Sequence, residues 1–202
     1  MTRVATIAEL EALYGTPGPA STRKVADRIT PAYRLLIEAA PFCALATSGP
    51  EGLDVSPRGD AVGRLVRIVD ERTLVLPDRR GNDRIDSLRN VVRDPRLALM
   101  FLIPGWDNAL RINGRGHVEA GADLLASLAV DGKPPRSALV IEVDEIYFQC
   151  ARATIRAGLW SGAPAPAGLP TAGDILAGMT GGAVGGADYD AAWPARAATT
   201  MW

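Results

Sequence analysis

The chain has 202 residues, 48% of them hydrophobic, with 22 basic and 23 acidic side chains and a net charge of −1. Its length suits one domain with short extensions, and its apolar content excludes disorder over most of the chain. No global field attracts nucleic acid or an anionic membrane, so any anion site must be local.

No apolar run approaches the ~20 residues of a membrane span. The acidic, helical N-terminus is not a secretory signal, and a soluble cytoplasmic protein is expected. The basic side chains are mainly arginine, with lysine only at Lys24 and Lys133. Arginine's planar fork of donors suits phosphate and carboxylate.

Taken in order, "TIAELEALYG" predicts a short helix closed by Gly15, with Ile7, Leu10, Leu13 and Tyr14 on one face. "TPAYRLLIEAA" predicts a second, with Thr30 as N-cap and Pro31 in its first turn. Strand patterns follow. "FCALATS" runs through the turn "GPEG" into "LDVSPRGD", and "GRLVRIVD" and "TLVLPD" make another pair.

A helix is then expected after an N-cap at Asn82, its apolar face made by Leu88, Val91 and Val92. "RLALMFLIP" reads as a strand covered on both faces. "NALRINGRGHVEA" alternates, with Leu110, Ile112 and Val118 on one side and Arg111 and Asn113 on the other. A small helix over Ala122 to Val130 and the long strand "SALVIEVDEIYFQC" complete the regular part. Such a pattern implies an α+β domain built on a barrel or curved, mostly antiparallel sheet.

After Cys150 the composition turns to Gly, Ala and Pro, with one weak helix over Ala172 to Met179. Trp160, Trp193 and Trp202 favour an arm lying on a partner subunit over a solvated tail. The expected division is residues 1–40 as a helical extension, 41–160 as the barrel domain and 161–202 as the arm. Cys43 and Cys150 both sit in strand-like runs and are expected as buried thiols.

Chemistry is sparse. His117 is the single histidine, and with two separated cysteines it makes no zinc site of usual spacing and no positioned triad. The "RGD" at Arg58 to Asp60 has no extracellular loop to serve as an adhesion signal, no Walker loop is present, and "GGAVGG" follows no strand. The stretch "LPDRRGNDRIDSLRN" remains. Arg79, Arg80 and Arg84 lie where a strand passes into a helix, whose first turn presents unpaired N–H groups and a positive dipole end. On its own the loop reads equally well as a solvated turn with local ion pairs. The segment "SPRGD" tips the balance, because it ends an earlier strand with Arg58 between Pro57 and Gly59 and could converge on the same anion.

These segments, in this order and with "LRINGRGHV" and "IYFQCARATIRAGLW" after them, resemble the pyridoxamine 5′-phosphate oxidase-like family of FMN-binding split barrels over about Pro41 to Trp160. The resemblance implies a split β-barrel homodimer with FMN at the subunit interface. It implies cofactor contacts from Ser56, Arg58, Gly59 and Asp60, and from Pro77, Asp78, Arg79, Asn82 and Arg84, with Arg58 and Arg84 on the phosphate and Arg80 in solvent. Gln149, Arg152 and Trp160 would come from the partner subunit, and Arg111 would reach the same cleft. The terminal basic, histidine-containing segment with which the vitamin B6 oxidase grips its substrate is not found, which argues against pyridoxamine phosphate as substrate. An FMN-dependent oxidoreductase with a small-molecule substrate is expected. The alternatives are a non-catalytic flavin- or haem-binding barrel and a deazaflavin-dependent reductase. Hydride transfer to a flavin requires no general acid or base, so no catalytic residue is assigned.

Overall fold

The computed structural model describes residues 3–201; Trp202, one of the three indoles weighed above, lies outside them. Helix α1 (Ile7–Tyr14) begins at a capping box in which Thr6 accepts from the Glu9 N–H and Glu9 accepts from the Thr6 N–H. Its expected apolar face is present but none of its residues is buried, and Ile7, Leu13 and Tyr14 are exposed. After the short α2 (Pro19–Thr22), α3 (Pro31–Ala39) starts where Thr30 caps it and sinks Tyr33 and Ile37 into the core.

Seven strands follow: β1 (Phe42–Gly49), β2 (Gly52–Gly59), β3 (Arg67–Ile68), β4 (Thr73–Pro77), β5 (Arg96–Ile103), β6 (Trp106–Glu119) and β7 (Ala138–Gln149). Between them lie α4 (Asp86–Arg93) and α5 (Ala122–Ser127), and after them α6 (Arg152–Ala157), α7 (Ala172–Thr180), α8 (Ala187–Ala191) and α9 (Trp193–Thr200). The strands form one antiparallel sheet in the order β2-β1-β5-β6-β7-β4-β3, with helices flanking it. The fold is α+β.

Register decides what each face carries, because cross-strand partners point the same way. One row reads Ser56, Leu45, Leu99, Ile112, Ile146, and all but Ser56 are buried. The next row on that face reads Arg58, Cys43, Phe101, Leu110. This face holds the main core, into which α3 adds Ile37 and α4 adds Val91. A smaller cluster joins Val75, Ala138 and Leu128 on the other side of β4, so that strand is covered on both faces.

Several expectations need correction. Strand β5 alternates buried and open positions, with Met100 42% exposed, so one of its faces is uncovered in the single chain. "GRLVRIVD" contributes only the two residues of β3, and α5 stops at Ser127, short of Val130. Cys43 is buried but Cys150 is exposed, because it follows the last paired residue of β7. Among the described residues four helices follow Cys150 where one was read. The three added, α6, α8 and α9, are short and mix Ala with polar residues, which leaves little periodicity to detect.

Gly114, in the "NGRG" segment, sits at a bulge where the β6–β7 register shifts. A Cβ there would stand 2.1 Å from the Glu142 carbonyl oxygen, so only glycine lets the two backbones meet.

Candidate functional site

Alternation along β2 turns Asp54, Ser56 and Arg58 inward, toward the loop that leaves β4. That loop and the start of α4 bend around them to enclose a cleft of about 730 Å³. Of the predicted residues, Ser56, Arg58, Asp78, Arg79, Asn82 and Arg84 line it together. A second cleft, of about 690 Å³, opens on the other side of residues 79–82 and is lined by Gly59, Asp60 and Pro77 as well as Arg58 and Arg79. Both "SPRGD" and "PDRRGNDR" therefore meet in space, as their positions at strand ends suggested.

The arginines differ sharply in what they touch. Arg58 donates from Nη1 to Asp78 Oδ1 at 2.6 Å, and both side chains are about four-fifths buried, while its Nε is buried without a hydrogen-bond partner. Arg79 is tied into the framework, donating to Asp60 at 2.8 Å and to the Leu128 carbonyl at 2.9 Å. Arg84 is exposed and pairs with Asp86 two residues on. Arg80 is exposed, as expected, but it lines both clefts rather than standing apart from them.

The helix does not begin at Asn82. Its N-cap is Ile85, which supplies no side-chain hydrogen bond, and α4 starts at Asp86. Asn82 instead accepts from the Arg84 N–H, a local turn of the kind asparagine favours. Asp83 and Ile85 both have positive φ, 58° and 53°. A β-branched residue there is strained, by about 1 kcal/mol or more. The strained step presents the uncapped first turn of α4, through Asp86, Ser87 and Leu88, to the cleft.

Sequence reasoning missed two groups of lining residues. Ser87 Oγ donates to Asp54 Oδ2 at 2.5 Å and lies 2.9 Å from Ser56 Oγ. The single Ser87 hydrogen is committed to Asp54, so Ser56 donates to Ser87 and shows the cleft only lone pairs. Period-two alternation with Ser56 and Arg58 was the signal for Asp54. Lys133 and Arg136 close the far wall from the turn-rich segment before β7, and no local pattern marks them. The cleft then holds six basic side chains against four acidic ones, an excess suited to an anion.

Arg111, Gln149, Arg152 and Trp160 line neither cleft. Arg111 projects from the uncovered sheet face beside the Tyr147 ring, 5.2 Å from its centroid. Gln149 and Arg152 are exposed around the end of β7, and Trp160 Nε1 donates to the Trp106 carbonyl at 3.1 Å. His117 stands exposed on β6, outside both clefts. Among the described residues no group of His, Cys, Asp or Glu could hold a metal ion, and no helix is long and apolar enough to cross a membrane.

Comparison with known proteins adds the family. No curated protein is a significant match. Among solved structures, a putative pyridoxamine 5′-phosphate oxidase from Lactobacillus delbrueckii is 18% identical, with 60% of this chain and 95% of that one covered at a TM-score of 0.48. HupZ from Group A Streptococcus is 20% identical, with 68% and 99% covered at 0.46. An F420 reductase is 19% identical, with 60% and 98% covered at 0.43. The sequence model described as pyridoxamine 5′-phosphate oxidase matches residues 29–150, more than half of the chain, and the protein belongs to that oxidase-like family.

Proposed function

We propose that the protein is an FMN-dependent oxidoreductase of this family acting on a small molecule in the cytoplasm. The carrying observation is the meeting of "SPRGD" and "PDRRGNDR" around one cationic cleft at the uncapped start of α4. The residues present fit a phosphate-bearing cofactor in two respects. The buried Arg58 Nε lacks an acceptor, and the first turn of α4 has no side chain filling its donor positions.

In this reading Arg84 and the α4 N–H groups hold the phosphate, with Arg58 completing the cradle from β2. Arg79 and Asp60 fix the loop rather than touch the anion. Ser56 accepts a hydrogen bond from a cofactor hydroxyl or ring N–H, since its own proton is given to Ser87. FMN bound there would supply the hydride chemistry, while the chain binds it, orients it and excludes water.

The reading includes a homodimer of split barrels, with residues 1–40, 41–160 and 161–202 as extension, barrel and arm. The uncovered face of β2, β1 and β5 supports a second copy. Leu53 is 86% exposed and Val55 67%, and they continue across the sheet through Ala44, Ala46 and Met100. Such a contiguous apolar face is uncommon on a lone subunit. Arg111, Gln149, Arg152 and Trp160, which lie off the clefts of their own chain, then belong to the partner's site.

Combined Arg58→Ala and Arg84→Ala substitution tests the cradle. Loss of two charge-assisted contacts should weaken FMN retention by about a hundredfold or more. Unchanged retention would overturn the phosphate assignment.

A further inference from the structure

The second cleft has a different character from the first. One wall is Leu65, Leu76 and Pro77 at the end of the sheet, and the other is α9, which brings Arg196 and Ala197 against them. The Arg196 guanidinium carbon lies 4.4 Å from the Tyr189 ring centroid and 5.1 Å from that of Trp193. Stacked in this way, the group is fixed in position and its plane is held by the rings.

Among the described residues, two buried side-chain nitrogens have no hydrogen-bond partner, Arg58 Nε and Arg196 Nη2. Both belong to arginines that line this cleft. A buried donor left unpaired is costly, and with Arg58 taken by the first cleft in the cofactor reading, Arg196 Nη2 is the donor left to this one, between the apolar and aromatic wall and the polar Asp60, Arg79, Arg80 and Asn82. An acceptor carrying negative charge would satisfy it. A phosphate ester fits poorly, because the apolar wall would face its hydrated oxygens. A carboxylate on a flat apolar body matches both surfaces.

We infer that this second cleft binds a small aromatic carboxylate, with Arg196 of the C-terminal arm as the residue that selects its charge. As the substrate site of the reaction it rests on the cofactor reading above; as a binding site it stands on Arg196 and the rings alone. The arm thereby acquires a role of its own, as the wall that sets substrate class from outside the family-matched segment, which ends at residue 150.

Ligand-observed NMR titration of the full chain with benzoate and with benzamide, its neutral isostere, tests the inference. Benzoate should bind at least about tenfold more tightly than benzamide, the difference expected of one charge-assisted hydrogen bond. Arg196→Gln should weaken benzoate by a similar factor while leaving FMN retention unchanged, since Arg196 does not line the first cleft. Equal binding of the two probes, no binding of benzoate, or indifference to Arg196→Gln would each overturn it. If the variant fails to fold, the comparison of the two probes on the unaltered chain still decides. Loss of FMN binding with benzoate selectivity intact would strike the cofactor reading alone.

Discussion

Arg79 closes on Asp60, Nε to Oδ2 at 2.8 Å, with 2% of the Asp60 side chain exposed. The contact pins the loop after β4 to the end of β2, the two segments whose meeting forms the site. Breaking it from one side leaves a charge poorly solvated, and that penalty exceeds the net worth of the pair. Asp60→Ala should therefore cost about 3 kcal/mol in urea unfolding, whereas Asp60→Leu with Arg79→Met should cost much less. Equal losses would show that the pair is not the fastener.

Gly114→Ala should destabilise by more than about 2 kcal/mol, because backbone must move to admit the methyl group. The added Cβ meets a carbonyl oxygen of β7, not the end of a flexible side chain. A chemical-denaturation midpoint within error of the parent would contradict the bulge geometry.

Ile85→Asn should raise stability by about 0.5 kcal/mol, since asparagine tolerates the left-handed region that isoleucine resists. Ile85 is 47% exposed, so little burial is lost. Ile85→Val keeps the β-branch and should bring no gain. A destabilised Asn variant would mean that Ile85 makes contacts worth more than its strain.

The two thiols should behave differently. Burial pushes the Cys43 thiol up to about 12, with Arg58 opposing weakly. At neutral pH a disulfide reagent should therefore modify one thiol per native chain, Cys150, and two after denaturation. The unfolded thiol ionises near 9 and the folded one near 12, so the folded state holds the proton longer. Stability from this group is intact below pH ~9 and falls as pH rises toward ~12. A Cys43→Ala variant should lose that slope, and rapid modification of Cys43 in the native chain would contradict the burial argument.

The strand series and the capped α3 were legible because each rests on local periodicity or a cap, and the meeting of "SPRGD" with the arginine loop because both lie at strand ends. The start of α4 was not. Asn82 is a favourable cap by composition, but two residues with positive φ delay the helix to Asp86. Arg79 and Arg84 look equivalent in sequence and separate only in their partners, a distant buried aspartate for one and the neighbouring, more exposed Asp86 for the other. Ser87, Lys133 and Arg136 reach the cleft through packing of distant segments, which no spacing rule encodes. The exposure of one β5 face likewise emerges only once the sheet's neighbours are known.

The most direct test of the central claim is the visible spectrum of the purified protein after incubation with FMN and removal of free ligand. Retained flavin bands, lost in the combined Arg58→Ala and Arg84→Ala variant, are the predicted result. A colourless protein that takes up no FMN, or one that retains haem or a deazaflavin in its place, would contradict it.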